Sequence, residues 1–172
     1  MASLIIPLNA GWTWFSINVV VPEIAINSVL ASISSSLQGN SNLIKSIAQF
    51  STFYTGYGWY GSLTELPTTS MYKIKLEKSV TATFRGAPVS LIAVNISSGW
   101  NWLPCMRQEA APIDRGLATH SKGYTQGDTI KSMTQFTQYY DGYGWFGSLT
   151  TLSPGNGYML KVAIGGEATL PV

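Results

Sequence analysis

The sequence predicts an α+β fold, mainly antiparallel β, built as two halves related by a pseudo-two-fold axis. Three observations carry this prediction. The phrase GYGWYGSLT at 56–64 returns as GYGWFGSLT at 142–150. The likeness extends in both directions, with Gly11-Trp12-Thr13-Trp14 over Gly99-Trp100-Asn101-Trp102 and IKSIAQF (44–50) over IKSMTQF (130–136). Short runs rich in β-branched and aromatic residues, punctuated by Gly, Pro, Asn and Ser, recur in the same order in both copies. The repeats are 2–88 and 89–172.

Each copy opens on a short apolar strand, Leu4–Leu8 or Leu91–Ile96, followed by a turn with Asn or Ser and Gly. A Trp-x-Trp strand comes next, with both indoles on one face because side chains alternate. In the first copy it is expected to run on through Phe15 to Val19. A helix follows: Ile26, Val29, Leu30, Ile33 and Leu37 are spaced by threes and fours, with Pro22 ahead of them. The second copy keeps Ile113 and Leu117 but places Gly116 between them, which predicts a shorter helix. IKSxxQF reads as one strand, with Ile44, Ser46, Ala48 and Phe50 on one face.

The repeated phrase reads as a hairpin, with Gly56 and Gly58 flanking Tyr57 at its tip. Trp59 and Leu63 share a face of the return strand. Leu66-Pro67, or Ser153-Pro154-Gly155, turns the chain into a closing strand, YKIKL or YMLKV. One further strand candidate ends each copy. Leu4–Leu8 and Ala168–Val172 are edge candidates, and open edges pair with other chains. Two such copies are expected to share a core or a sheet.

Composition narrows the function. Charged residues make up 10% of the chain, under half of the roughly 25% typical of a soluble domain. A net charge of +2 with scattered bases gives no basic stripe, so nucleic acid is not the expected partner. No apolar run reaches the length of a membrane span. The opening MASLIIPLNAGW lacks the basic start and cleavage site of a signal peptide. The single cysteine, Cys105, permits no internal disulfide and reads as a small buried hydrophobe. His120, in a THSKGY stretch, reads as a solvated loop histidine. Asp114 and Arg115 read as a weak surface pair at a helix start.

A duplicated acid/base site would repeat its carboxylates, and these do not repeat. Asp141 aligns with Thr55, Glu65 with Thr151 and Asp128 with Asn42. No phosphate loop, dinucleotide fingerprint or nucleophile elbow is present. The reading is of a non-enzymatic protein with no catalytic residues, cofactor or metal. What does recur is aromatic and lysine. Trp12, Trp14, Trp100 and Trp102 are expected as core anchors. Tyr57, Trp59, Tyr143, Trp145, Lys45 and Lys131 are expected as contact or assembly residues.

The ordered motifs GWxW, IKSxxQF, GYGWxGSL and PGxGYMLK resemble a tandem module of marine algal and bacterial proteins, and are similar to the diatom pyrenoid shell (PyShell) family. The resemblance spans nearly the whole chain. It departs at Leu103-Pro104-Cys105-Met106-Arg107 and at Thr68-Thr69-Ser70. It implies a subunit that self-assembles into a sheet or tube encasing the Rubisco-containing pyrenoid, at the pyrenoid periphery in the chloroplast stroma. The implied partners are further copies of the chain, other shell paralogues and Rubisco-matrix proteins. The alternative is a carbohydrate-binding or adhesion module of a larger extracellular protein, with Tyr57, Trp59, Tyr143 and Trp145 as stacking platforms.

Overall fold

A computed structural model describes residues 2–172 and shows a mostly antiparallel β fold of two similar halves. The first half contains β1 (Ala2–Leu8), β2 (Gly11–Ser16), β3 (Val19–Val20), α1 (Ile26–Val29), α2 (Ala31–Ser34), β4 (Leu43–Lys45), β5 (Phe50–Tyr54), β6 (Gly58–Gly61), β7 (Met71–Leu76) and β8 (Val80–Pro88). The second contains β9 (Ile92–Ile96), β10 (Gly99–Pro104), β11 (Ala111–Pro112), α3 (Ile113–Gly116), β12 (Thr119–His120), β13 (Thr129–Lys131), β14 (Phe136–Tyr140), β15 (Gly144–Gly147), β16 (Thr151–Leu152), β17 (Gly157–Val162) and β18 (Gly166–Leu170).

Each half builds a five-stranded sheet in the same order, β2-β7-β4-β5-β6 and β10-β17-β13-β14-β15. A three-stranded sheet accompanies each, β1-β8-β3 and β12-β18-β9. The halves do not share a hydrophobic core. One cluster, from Leu4 to Phe84, fills the first half, and another, from Val89 to Leu170, fills the second. Each copy alternates enough apolar residues inward to close its own layer.

The expected single strand IKSxxQF is two strands joined by a tight turn, and side-chain chemistry explains the break. Ser46 N–H donates to the Gln49 carbonyl at 2.9 Å, and Ser46 Oγ accepts the Gln49 N–H at 3.2 Å. Gln49 Nε2 then donates to the Ser62 carbonyl, and Ser62 Oγ accepts from Phe50 N–H. Ser132, Gln135, Ser148 and Phe136 repeat every one of these bonds. The motif's Ser and Gln therefore staple a hairpin turn to the GSL corner, outcompeting a continued ladder.

The predicted second hairpin forms. Tyr57 N–H donates to the Tyr54 carbonyl and Tyr143 N–H to the Tyr140 carbonyl, each at 3.0 Å. Gly56 and Gly58 have φ of 83° and 87°, and Gly142 and Gly144 match them, a region open to glycine without a Cβ penalty. At the far end of the return strand a Cβ on Gly61 would strike the Phe50 carbonyl, and one on Gly147 the Phe136 carbonyl.

Other expectations are corrected. The Trp-x-Trp strand ends at Ser16, and Val19–Val20 pairs with β8 in the other sheet. The predicted helix is two short turns meeting at Leu30. Its Ser-rich sequence holds little intrinsic helix propensity, and burial of Ile26, Val29 and Ile33 holds it in place. In the second half a single turn survives, as Gly116 predicted. Strand β1 is an edge, but β18 is central, flanked by β12 and β9. The edges of that sheet are instead β12 and β9.

Candidate functional site

The register of the five-stranded sheets decides which side chains face out. Trp12 pairs with Lys75 and Trp14 with Lys73, so indoles and lysines share a face. Lys45 pairs with both Lys73 and Phe50, and Thr52 with Tyr60, extending that face across the sheet. The opposite face holds Phe15, Tyr72, Ile74 and Ile44, all fully buried. The second half repeats the arrangement: Trp100 opposite Lys161, Trp102 opposite Met159, and Lys131 beside Phe136.

This parity corrects the reading of the four tryptophans as core anchors. Trp12 is 37% exposed and Trp100 40%, and Trp14 and Trp102 are half-buried. Phe15 and Leu103, next in each strand, take the inward positions, and the indoles go out with the lysines. There the lysines cover them. Lys45 Nζ lies 5.2 Å from the Trp12 ring centre and Lys131 Nζ 4.5 Å from that of Trp100. Each such contact is worth about 0.5–1 kcal/mol at an exposed site. Lys45 and Lys131, named as contact residues, are thus half-buried members of this outer face.

The two faces meet at the seam between the halves. Lys73 Nζ stands 4.0 Å from the Trp14 ring and 4.3 Å from the Trp102 ring, contributed by the other half. Met159, the counterpart of Lys73, places Sδ 3.3 Å from the same Nζ. Partial burial, with the Lys45 and Lys131 ammonium groups nearby, holds the Lys73 ammonium below the ordinary lysine range. The seam is closed by backbone as well: Ser16 N–H donates to the Gly155 carbonyl, and Ser16 Oγ accepts from Cys105 N–H at 3.0 Å.

The hairpin tips divide as two pairs. Tyr57 and Tyr143 project into solvent, 88% and 81% exposed. Trp59 does not. It is 3% exposed and packs edge-on against Phe53 at 5.5 Å. Trp145 is half-buried between Tyr124 at 4.9 Å and Tyr139 at 5.4 Å. Both indoles point to the core face because they pair with Phe53 and Tyr139, so no Tyr–Trp stacking platform forms at either tip. The exposed aromatics that sequence reasoning missed are Phe50, Tyr54 and Tyr60, and Phe136, Tyr140 and Phe146. Alternation out of phase with Trp59 and Trp145 was the signal that marks them.

The remaining polar residues serve the scaffold. His120 is buried: Nδ1 accepts the Lys122 N–H, so the proton sits on Nε2, 2.9 Å from the Ile164 carbonyl. It is not a solvated loop residue, because β12 pairs it with Ala168 in β18. Asn42 and Asp128, aligned but unlike, do the same work. Asn42 Oδ1 accepts the Glu77 N–H, and Asp128 Oδ1 accepts the Ala163 N–H. Cys105 is free and buried, and burial pushes its thiol up to about 11. Among the described residues no group of three or more His, Cys, Asp and Glu is placed to hold a metal ion, and no helix is long and apolar enough to cross a membrane. Comparison with family models, curated proteins and solved structures finds no match for this chain.

Proposed function

We propose that the protein is a structural subunit that associates with copies of itself into a sheet or tube. The observation that supports this best is the pair of matching aromatic patches on the two outermost hairpins, β5–β6 and β14–β15. Strands β6 and β15 end their sheets, while β7 and β17 lie at the seam. Tyr57, Tyr60 and Phe50 are exposed at one outer end, and Tyr143, Phe146 and Phe136 at the other. A pseudosymmetric unit with like patches at both ends repeats one contact in two directions, which extends an array. Burying large aromatics is also the kind of contact that stabilises interfaces.

The two ends differ in one respect that favours strand pairing at β15. Tyr139 donates its N–H to Asp128 on its inner side. Its pairing with Trp145 is therefore the kind without hydrogen bonds, and the Trp145 N–H and C=O point off the sheet edge. In the first half the same groups of Trp59 are clamped by Asn27, whose Nδ2 donates to the carbonyl and whose Oδ1 accepts the N–H at 2.7 Å. Ile26 and Ile113 make matching hydrogen bonds, to Thr64 and Thr150, so Asp114 takes the place of Asn27. A carboxylate accepts but cannot donate, so the clamp is not available. Helix α3 lies beside β15 as α1 lies beside β6, so the difference between the ends is the missing clamp, and the unclamped Trp145 groups are the ones a strand of another chain would pair with.

The resemblance to the pyrenoid shell family would set this array around the Rubisco-filled pyrenoid, with shell paralogues and matrix proteins as neighbours. Electron microscopy of purified protein across a wide concentration range is the test. Sheets, tubes or filaments are expected, and a monomer at every concentration contradicts the reading.

A further inference from the structure

The outer face of the two five-stranded sheets gathers charge of one sign. Lys45, Lys73, Lys75, Lys131 and Lys161 all lie on it by strand register, half of the 10 basic residues in the chain. No Asp or Glu is on these strands' outward positions. The basic residues look scattered along the chain because the register that collects them is long-range. A second copy is a poor occupant for this face, since five lysines would be buried against five more. The face calls for an anion.

The neighbourhood of the central Trp14–Lys73–Trp102 stack indicates which anion. A cleft of about 370 Å³ adjoins Trp102, where Ser46, Gln49 and Asn101 bring together hydroxyl and amide groups from both halves. A second, of about 440 Å³, adjoins Trp14 with Ser132, Gln135 and Thr13 in the corresponding places. Both volumes fall within the range of small-molecule sites. Hydroxyl and amide linings suit ring hydroxyls, and indole edges and faces suit the apolar side of a sugar ring. The face has no arginine, the residue that reads phosphate with a bidentate fork. Glu65 stands in the first cleft and Thr151 in the second, so the ligand's acid groups belong on the lysine side and its hydroxyls in the clefts.

We infer that the Trp–Lys face is a binding surface for an acidic saccharide chain laid across the seam, with rings against Trp14 and Trp102, an acid group on Lys73, and hydroxyls in the two clefts. The surface borders the outer aromatic patches, with Phe50 paired to Lys45 and Phe136 to Lys131, but its central Trp14–Lys73–Trp102 stack lies at the seam, away from both outer ends. Lys73 is the key position because it alone touches both tryptophans. Its counterpart is Met159, so Lys73→Met installs the residue that the other half already carries there.

Isothermal titration with short oligogalacturonate and with sulfated dextran fragments tests carboxylate and sulfate separately. Neutral dextran, oligo(dT) and polyglutamate are the comparison ligands. Saturable binding of at least one acidic saccharide is expected, weakening as salt rises, with neutral dextran at least tenfold weaker. Lys73→Met, with an unchanged circular dichroism spectrum, is expected to weaken it at least tenfold. The pair Lys45→Gln and Lys131→Gln, which leaves Lys73 intact, is expected to do the same. The inference is overturned if neither acidic saccharide binds, if neutral dextran, oligo(dT) or polyglutamate binds as tightly, or if both sets of variants bind like the parent.

Discussion

Replacing Trp59 separates a core role from a surface role by a wide margin. Trp59 is 3% exposed and edge-packed on Phe53. Truncating a buried Trp to Ala costs about 3–5 kcal/mol through lost burial and the cavity left behind. A surface ring at a hairpin tip would cost no more than about 0.5 kcal/mol. The structure adds a finer expectation. No protein acceptor reaches the buried Trp59 Nε1, and a buried donor without a partner costs about 1–3 kcal/mol. Trp59→Phe removes that donor while keeping a ring against Phe53, so it is expected to cost less than about 2 kcal/mol. The assay is urea denaturation followed by circular dichroism, with Tyr57→Ala as the exposed control. Trp59→Ala is expected to lower the midpoint strongly, Trp59→Phe weakly, and Tyr57→Ala hardly at all. A Trp59→Ala protein within about 0.5 kcal/mol of the parent refutes the packing argument.

Two more outcomes follow from the same structure. Cys105 is buried with its thiol pushed up to about 11, so at pH 8 only about one thiol in a thousand is ionised. An aromatic disulfide reagent should label it slowly in the folded protein, quickly in urea, and faster as pH rises towards 11. Rapid labelling of the folded protein at pH 8 contradicts the burial. Gln49→Ala and Gln135→Ala each remove a side chain that ties the IKS turn to the GSL corner. Each is expected to cost about 0.5–1.5 kcal/mol in the same urea titration. Equal losses from the two positions support the repeat's equivalence, and a loss from only one contradicts it.

Duplication made much of this fold legible in the sequence. The glycine-flanked hairpins, the short second helix and the two-half organisation all rest on local chemistry that repeats. What escaped depended on long-range pairing. Ser46 falls in phase with Ile44 and Ala48, and Gln49 with Lys45 and Ile47, as in a strand, and only the bonds of Ser46 and Gln49 to each other and to the distant Ser62 turn the chain. Trp12 and Trp100 are large and apolar, yet their register against Lys75 and Lys161 turns them outward. Alternation within a strand marks two faces but does not say which one is buried. The lysine face was hidden for the same reason: Lys45 meets Lys73 only through the pairing of β4 with β7, and Lys131 joins them only where the two sheets meet at the seam.

Both ends of this molecule are proposed to meet other copies. Sedimentation velocity of the parent chain beside a Tyr57→Ser, Tyr143→Ser variant tests it most directly, since both rings are exposed and their loss leaves each core intact. The parent is expected to grow into large species as concentration rises, while the variant stays small and folded. A parent that sediments as a single small species throughout, or a variant that assembles just as readily, contradicts it.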